Sequence, residues 1–270
     1  MASEPDAEAV AERVFNAALG TMDVLAIHLG DRLGWYNALA SDGPASSTEL
    51  AERTGTSERY AREWLEQQAI TGLLTANDDG DARRFTLPAG AAEVLTDSTS
   101  LNYLAPLARM IAGAAVQLPA LQAAYREGTG VGWSEFGEDA RESQADMNRP
   151  WFEHELAGAL RQAPDLVARL HGEGASVADI GCGAGWSTIA LARTFPTAQI
   201  TGFDIDQASI ELANSNASSV DSTARFQVVD AAGMPEQQFD VVFAFECIHD
   251  LPYPVDVLAA ARRSLHSGGT

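Results

Sequence analysis

The sequence predicts an α/β chain, with a doubly wound parallel sheet in its C-terminal half behind a mainly helical N-terminal part. Three observations carry that expectation. Residues Val177–Trp186 read Val-Ala-Asp-Ile-Gly-Cys-Gly-Ala-Gly-Trp, an apolar run closed by Gly181, Gly183 and Gly185, and Ser187 to Arg193 follow with helical character: a strand, a tight turn and a helix. Further apolar runs at Ala198–Phe203, Phe226–Ala231 and Phe239–Phe245 alternate with helical stretches, the βαβ pattern of a parallel sheet. Before residue 100 the pattern is different, with capped short helices followed by a hairpin.

Length and charge bound the function. At 270 residues with 46% hydrophobic content, the chain is long for one domain and sufficient for two buried cores. A formal charge of −21 opposes phosphate backbones and anionic membrane surfaces, so a small-molecule partner is expected and neither nucleic acid nor membrane is. All 17 basic residues are arginine, which excludes a phosphate-binding P-loop lysine and Schiff-base chemistry. Two cysteines, Cys182 and Cys247, fit a reducing cytoplasm and are too few for a disulfide framework or a thiolate zinc site. No clustered His or Cys set stands in the sequence, so no metal is expected. The start, Met1 to Asp6, is acidic with no apolar core behind it, so neither a signal peptide nor a membrane span is expected.

Taken in order, residues 7–39 carry apolar residues at three- and four-residue steps, with Gly30 and Gly34 expected to interrupt the helix. Pro44 to Gly55 reads as a capped short helix, and a second starts at Ser57 with Tyr60, Ala61, Trp64, Leu65 and Gln68 on related faces. Gly72-Leu73-Leu74, a polar tip Asn77–Asp81 and Phe85-Thr86-Leu87 then read as a hairpin, which completes a winged helix. Its would-be recognition helix sets Arg59 and Arg62 against Glu58, Glu63 and Glu66, a face that repels phosphates, so packing and dimerisation are expected of it rather than DNA binding. Residues 100–127 read as an apolar helix pair bent at Pro106 and Pro119, residues 128–137 as a connection, and Met147-Asn148-Arg149-Pro150 as the opening of another helix. Trp133, Phe136, Trp151 and Phe152 are either pocket lining or junction core.

The glycine turn lets backbone approach a ligand closely and leads to the free N–H groups of a helix start. A dinucleotide loop, GxGxxG, needs a glycine at 186, where Trp186 stands. With Asp179 two residues before Gly181, the GxGxG spacing resembles motif I of the class I S-adenosylmethionine-dependent methyltransferases, and this resemblance implies a Rossmann-like sheet. S-adenosyl-L-methionine is then the expected cofactor, and its ammonium and sulfonium fit a carboxylate at Asp179, which would repel a pyrophosphate. The resemblance assigns Gly181, Gly183 and Gly185 to the cofactor loop and the carboxylate ending the second strand to the ribose hydroxyls. Asp204 closes that apolar run directly; Asp206 is the alternative or a helix N-cap. Asp230 and the N–H of Ala231 are placed on the adenine edge, and Phe245, at the end of the fourth strand, joins the cofactor-binding residues.

Behind that strand, Glu246-Cys247-Ile248-His249-Asp250 is similar to the His-Asp pair of plant-type O-methyltransferases, whose histidine is the general base. His249 is the expected catalytic residue, oriented by Asp250 or Glu246, or else a structural histidine closing the turn. A winged-helix-like domain before a methyltransferase domain resembles the small-molecule O-methyltransferases of bacteria and plants and implies a homodimer. The expected division is 1–100 for the winged-helix-like dimerisation domain, 101–150 for a helical connection and substrate lid, and 151–270 for the methyltransferase domain. That domain has seven strands in the family, so the chain is expected to lack the strands after the fourth. The function read from the whole is methyl transfer to a small, largely apolar acceptor at a hydroxyl oxygen. N- or C-methylation, or a cofactor-sensing DNA-binding regulator, are the alternatives.

Overall fold

The computed structural model describes residues 6–77 and 83–270, so the first five residues and Asp78, Asp79 and Asp81 of the hairpin tip lie outside the described residues. The chain divides into two compact units, Met1–Ala115 and Val116–Thr270.

In the first unit, α1 (Ala7–Arg32) starts where the Asp6 carboxylate accepts the Ala9 N–H. Of the two glycines expected to interrupt it, only Gly34 does, at φ +70 ahead of α2 (Trp35–Asp42). Gly30 stays helical because the rings of Trp64 and Tyr36 press on it: a Cβ there would lie 2.4 Å and 2.6 Å from them. In α3 (Ser47–Thr54), Ser46 and Glu49 form a reciprocal capping box. Next come α4 (Glu58–Ile70), strand β1 (Thr75–Asn77) antiparallel to β2 (Arg84–Thr86), α5 (Ala89–Thr96) and α6 (Ala105–Val116). Helix, helix and hairpin therefore assemble as the sequence predicts, around Trp35, Tyr36, Leu50, Leu65, Leu74 and Phe85. Gln68, wholly buried, accepts the Tyr36 hydroxyl, and burial together with nearby Asp31 pushes that phenol's pKa up.

The second unit opens with α7 (Leu118–Glu127) and α8 (Gly137–His154). Pro106 and Pro119 do not bend helices. They sit in the first turns of α6 and α7, where a missing N–H costs nothing. Conversely, α8 begins ten residues before Met147 and carries Pro150 inside it. Ala105 of α6 joins the first core, whereas Ala145 and Phe152 of α8 pack in the core beneath the sheet. After α9 (Leu156–Leu160) and α10 (Pro164–Leu170) strand and helix alternate through β3 (Ser176–Ile180), α11 (Trp186–Thr194), β4 (Gln199–Asp204), α12 (Gln207–Ser219) and β5 (Arg225–Val228), and a short turn at Ala231–Gly233 then leads to β6 (Val241–Ala244) and α13 (Pro254–Ser264).

The four strands are parallel in the order β5-β4-β3-β6. Central β3 has β4 on one side and β6 on the other, so the winding reverses there and opens a crevice at the strand's C-terminal end. Two strands are shorter than their apolar runs. β5 stops at Val228, and Phe239 makes only an isolated bridge to Leu265 ahead of β6.

Asp179 joins β3 to α11 across the glycine turn. Its side chain is fully buried, and Oδ2 accepts the hydroxyls of Ser187 at 2.6 Å and Thr188 at 2.7 Å, while Oδ1 has no partner among the described residues. Burial raises its pKa from 3.8 to about 6 against the lowering effect of the two hydroxyls, and the Asp204 charge adds to the rise. Because the folded state holds this proton more tightly than the unfolded chain, its stabilising contribution is full below pH 3.8 and is lost as pH rises through about 6. Asp179→Asn keeps an acceptor for both hydroxyls and cannot ionise. Relative to wild type, the variant should therefore gain stability by on the order of 2 to 3 kcal/mol between pH 4 and pH 7, measured by urea unfolding. A difference independent of pH, or growing in the opposite direction, contradicts the buried proton.

Candidate active site

An open cleft lies at the C-terminal end of β3. Its floor is the loop Gly181–Gly185 with the first residues of α11. One wall is α8, through Arg141, Gln144, Asn148 and Phe152, and the opposite lip is Phe245 and Glu246 behind β6.

Each loop glycine is there for a separate reason. A Cβ on Gly181 would stand 2.7 Å from that of Cys247, and one on Gly185 would stand 2.6 Å from the Phe226 ring. Gly183, left-handed like the other two at φ +50, differs in that no atom lies within 4 Å of where a Cβ would point. That is the opening through which a ligand can lie directly on backbone. The loop is tied down from beneath, since Gly181 N–H and Cys182 N–H both donate to the Phe203 carbonyl. Trp186, where a dinucleotide loop has glycine, is buried, with the Arg149 guanidinium 4.0 Å above its ring.

The acids separate by surroundings. Asp179 is not on the cleft wall. It sits behind the loop, fully buried, with Oδ2 bonded to the first residues of α11 and Oδ1 without a partner among the described residues. Asp204, at the end of β4, accepts the Gly183 N–H and the Asp206 N–H, each at 2.9 Å, and burial raises its pKa. Asp206 is the N-cap of α12, accepting the Ser209 N–H and hydroxyl, and it also holds Arg141 of α8 at 2.8 Å. Although burial works the other way, the bonds from Ser209 and Arg141 keep its carboxyl below the usual range. Asp230 is exposed and caps the short turn Ala231–Gly233 by accepting the Ala232 N–H.

The structure thus brings Gly181, Gly183, Gly185 and Phe245 together on the cleft and sets Asp204 against the loop. Asp230, Ala231 and His249 lie off its lining. His249, on the turn Ile248–Asp250, is 65% exposed, with Nε2 at 3.4 Å from an Asp250 carboxylate oxygen, so Asp250 rather than Glu246 is its neighbour. Trp133 and Phe152 are pocket lining, and Phe152 stands edge-on to Phe245 at 5.5 Å. The polar stripe of α8 was not read from the sequence, although Arg141, Gln144, Asn148 and Phe152 fall at the three- and four-residue steps of one helix face. Among the described residues, no cluster of three or more His, Cys, Asp or Glu stands ready for a metal, and no helix is long and apolar enough to cross a membrane.

Residues 171–270 match a family described as methyltransferase domain, and residues 20–97 match the Rv2258c-like winged HTH domain. The chain is 32% identical over 133 residues to 27-O-demethylrifamycin SV methyltransferase of Amycolatopsis mediterranei, a stretch covering 46% of this chain and 48% of that protein. It is 36% identical over 110 residues to trans-aconitate 2-methyltransferase of Escherichia coli O157:H7, covering 40% and 42%. The match thus spans less than half the length of either relative. In fold, the mitomycin 7-O-methyltransferase MmcR superposes with a TM-score of 0.70 at 23% identity, covering 97% of this chain and 79% of that one. PigF with SAH superposes at 0.73 and 18% identity, covering 96% and 78%. The chain therefore joins an Rv2258c-like winged HTH domain to a methyltransferase domain.

Proposed function

We propose that the chain binds S-adenosyl-L-methionine on the glycine loop and transfers its methyl group to a small, largely apolar acceptor, at a hydroxyl oxygen. The observation that carries the reading is the open space over Gly183, held by a loop whose N–H reaches the Asp204 carboxylate. The names of the relatives support the reaction class, and a neighbour solved with SAH supports the cofactor. When bound, the cofactor supplies an electrophilic methyl on a sulfonium. Toward it, Gly181, Gly183 and Gly185 offer close backbone approach, and Asp204 keeps lone pairs for ribose hydroxyls. Asp230 and the Ala231 N–H are assigned to the adenine edge, and Phe245 to the cofactor-facing lip. The aromatic surfaces of Trp133 and Phe152 suit an apolar acceptor body. Holding acceptor oxygen and methyl in line supplies most of the rate, and His249 takes the hydroxyl proton. Free thiols at Cys182 and Cys247, the latter pushed up to about 12 by burial and by the charges of Asp179, Asp204 and Asp250, fit a reducing cytoplasm.

The winged-helix unit belongs to the same proposal as a homodimerisation element. Val14, Phe15 and Met22 of α1 are each more than 60% exposed, an apolar face that a second copy would cover. On α4, Arg59 is paired with Glu63 and Arg62 with Glu58, so neither arginine is offered to phosphate. Sedimentation of the full protein should give twice the chain mass, and Phe15→Glu with Met22→Glu should return it to the mass of one chain. A monomeric wild type contradicts this assignment.

His249→Ala should leave cofactor affinity nearly unchanged and slow methyl transfer roughly a hundredfold or more. The loss should shrink for acceptors of low pKa, which need no base. Single-turnover rates over a series of phenols of graded pKa measure it. Parallel lines of rate against pKa for wild type and variant exclude His249 as the base.

A further inference from the structure

A cationic ligand on the glycine loop calls for a facing carboxylate, and Asp179, the residue the sequence offered, is fully buried and off the cleft lining. Among the described residues lining the cleft, only Glu246 carries a carboxylate. The one cation there, Arg141, is already paired with Asp206. Glu246 is exposed, and its carboxylate has no partner among the described residues.

Its backbone is held for the purpose. Glu246 has φ +51, a left-handed conformation that a residue with a Cβ adopts at a cost and that collects at binding sites. Both neighbours impose it. Phe245 is stacked on Phe243 and set edge-on to Phe152, which fixes the chain before it. Cys247 packs where Gly181 would have a side chain and donates its thiol to the Ile180 carbonyl at 3.2 Å, which fixes the chain after it. Between these two anchors the chain must turn sharply, and the turn leaves Glu246 on the cleft lip opposite α8.

We propose that Glu246 is the residue that binds the α-ammonium of the cofactor's amino-acid portion, a role no other cleft carboxylate can take. The assignment rests on the cofactor reading above. Its chemistry is a charge-assisted hydrogen bond from the ammonium to the carboxylate.

Calorimetry of the full chain with two ligands tests it: S-adenosylhomocysteine, which carries the ammonium, and 5′-methylthioadenosine, which shares the nucleoside thioether and lacks the amino acid. Glu246→Gln should weaken S-adenosylhomocysteine roughly ten- to hundredfold, the value of a hydrogen bond between charged groups. It should leave 5′-methylthioadenosine unchanged. Glu246→Gly guards against misfolding, since it removes the carboxylate and the left-handed strain together. It should lose the same affinity while its unfolding midpoint rises. Equal weakening of both ligands, or unchanged S-adenosylhomocysteine binding in either variant, overturns the assignment while leaving the cofactor reading intact. A wild type that binds neither ligand ends the cofactor reading, and the assignment falls with it.

Discussion

The chain leaves β3 through a turn of three glycines and must enter α11 at one fixed angle if the cleft is to exist. Glycines permit that turn but do not select it. Selection comes from Asp179, whose buried carboxylate receives the hydroxyls of the first two residues after Trp186 and so pins the start of α11 to the end of β3. The cost is a carboxyl removed from water with one oxygen unpartnered, and the upward shift to about 6 is the measure of that cost. Gly202 on β4 shows how tightly the neighbourhood is packed around this joint. A Cβ there would meet Thr188, Cys182 and Phe226, all within 3 Å.

The carboxylates around the glycine loop divide the labour according to their surroundings. Asp179 is structural and inward. Asp204 holds the loop from the next strand through the Gly183 N–H. Asp206 caps α12 and through Arg141 holds α8 in place as the cleft's wall. Glu246 alone is left unpaired on the lip.

Much of this was legible in the sequence. The glycine spacing, the apolar runs and the acids closing them placed β3, α11 and β4 to within a residue or two, because an apolar strand and a glycine turn are local signals. The winged helix was equally local, announced by the Ser46–Glu49 capping box and the glycine after α3. What could not be read is what depends on distant partners. Gly30 looked like a helix breaker because nothing near it in sequence announces the rings of Trp64 and Tyr36. The acid of the motif looked like a ligand contact because its two hydroxyl partners, eight and nine residues on, read as ordinary helix residues. Glu246 drew no more than a passing role beside His249. Its importance arises from Cys247 lodging against Gly181, 66 positions earlier in the chain, a contact that no periodicity encodes.

The central claim is that the turn at Gly183 opens onto a nucleoside thioether rather than a dinucleotide. Its most direct measurement is calorimetry of the full protein with S-adenosylhomocysteine and, separately, with a nicotinamide dinucleotide, repeated on Gly183→Val. The side chain of the variant would fill the open space and strain a left-handed backbone position. The account predicts heat from S-adenosylhomocysteine alone, abolished in the variant. Heat from the dinucleotide with none from S-adenosylhomocysteine, or binding of S-adenosylhomocysteine that Gly183→Val leaves untouched, would contradict it.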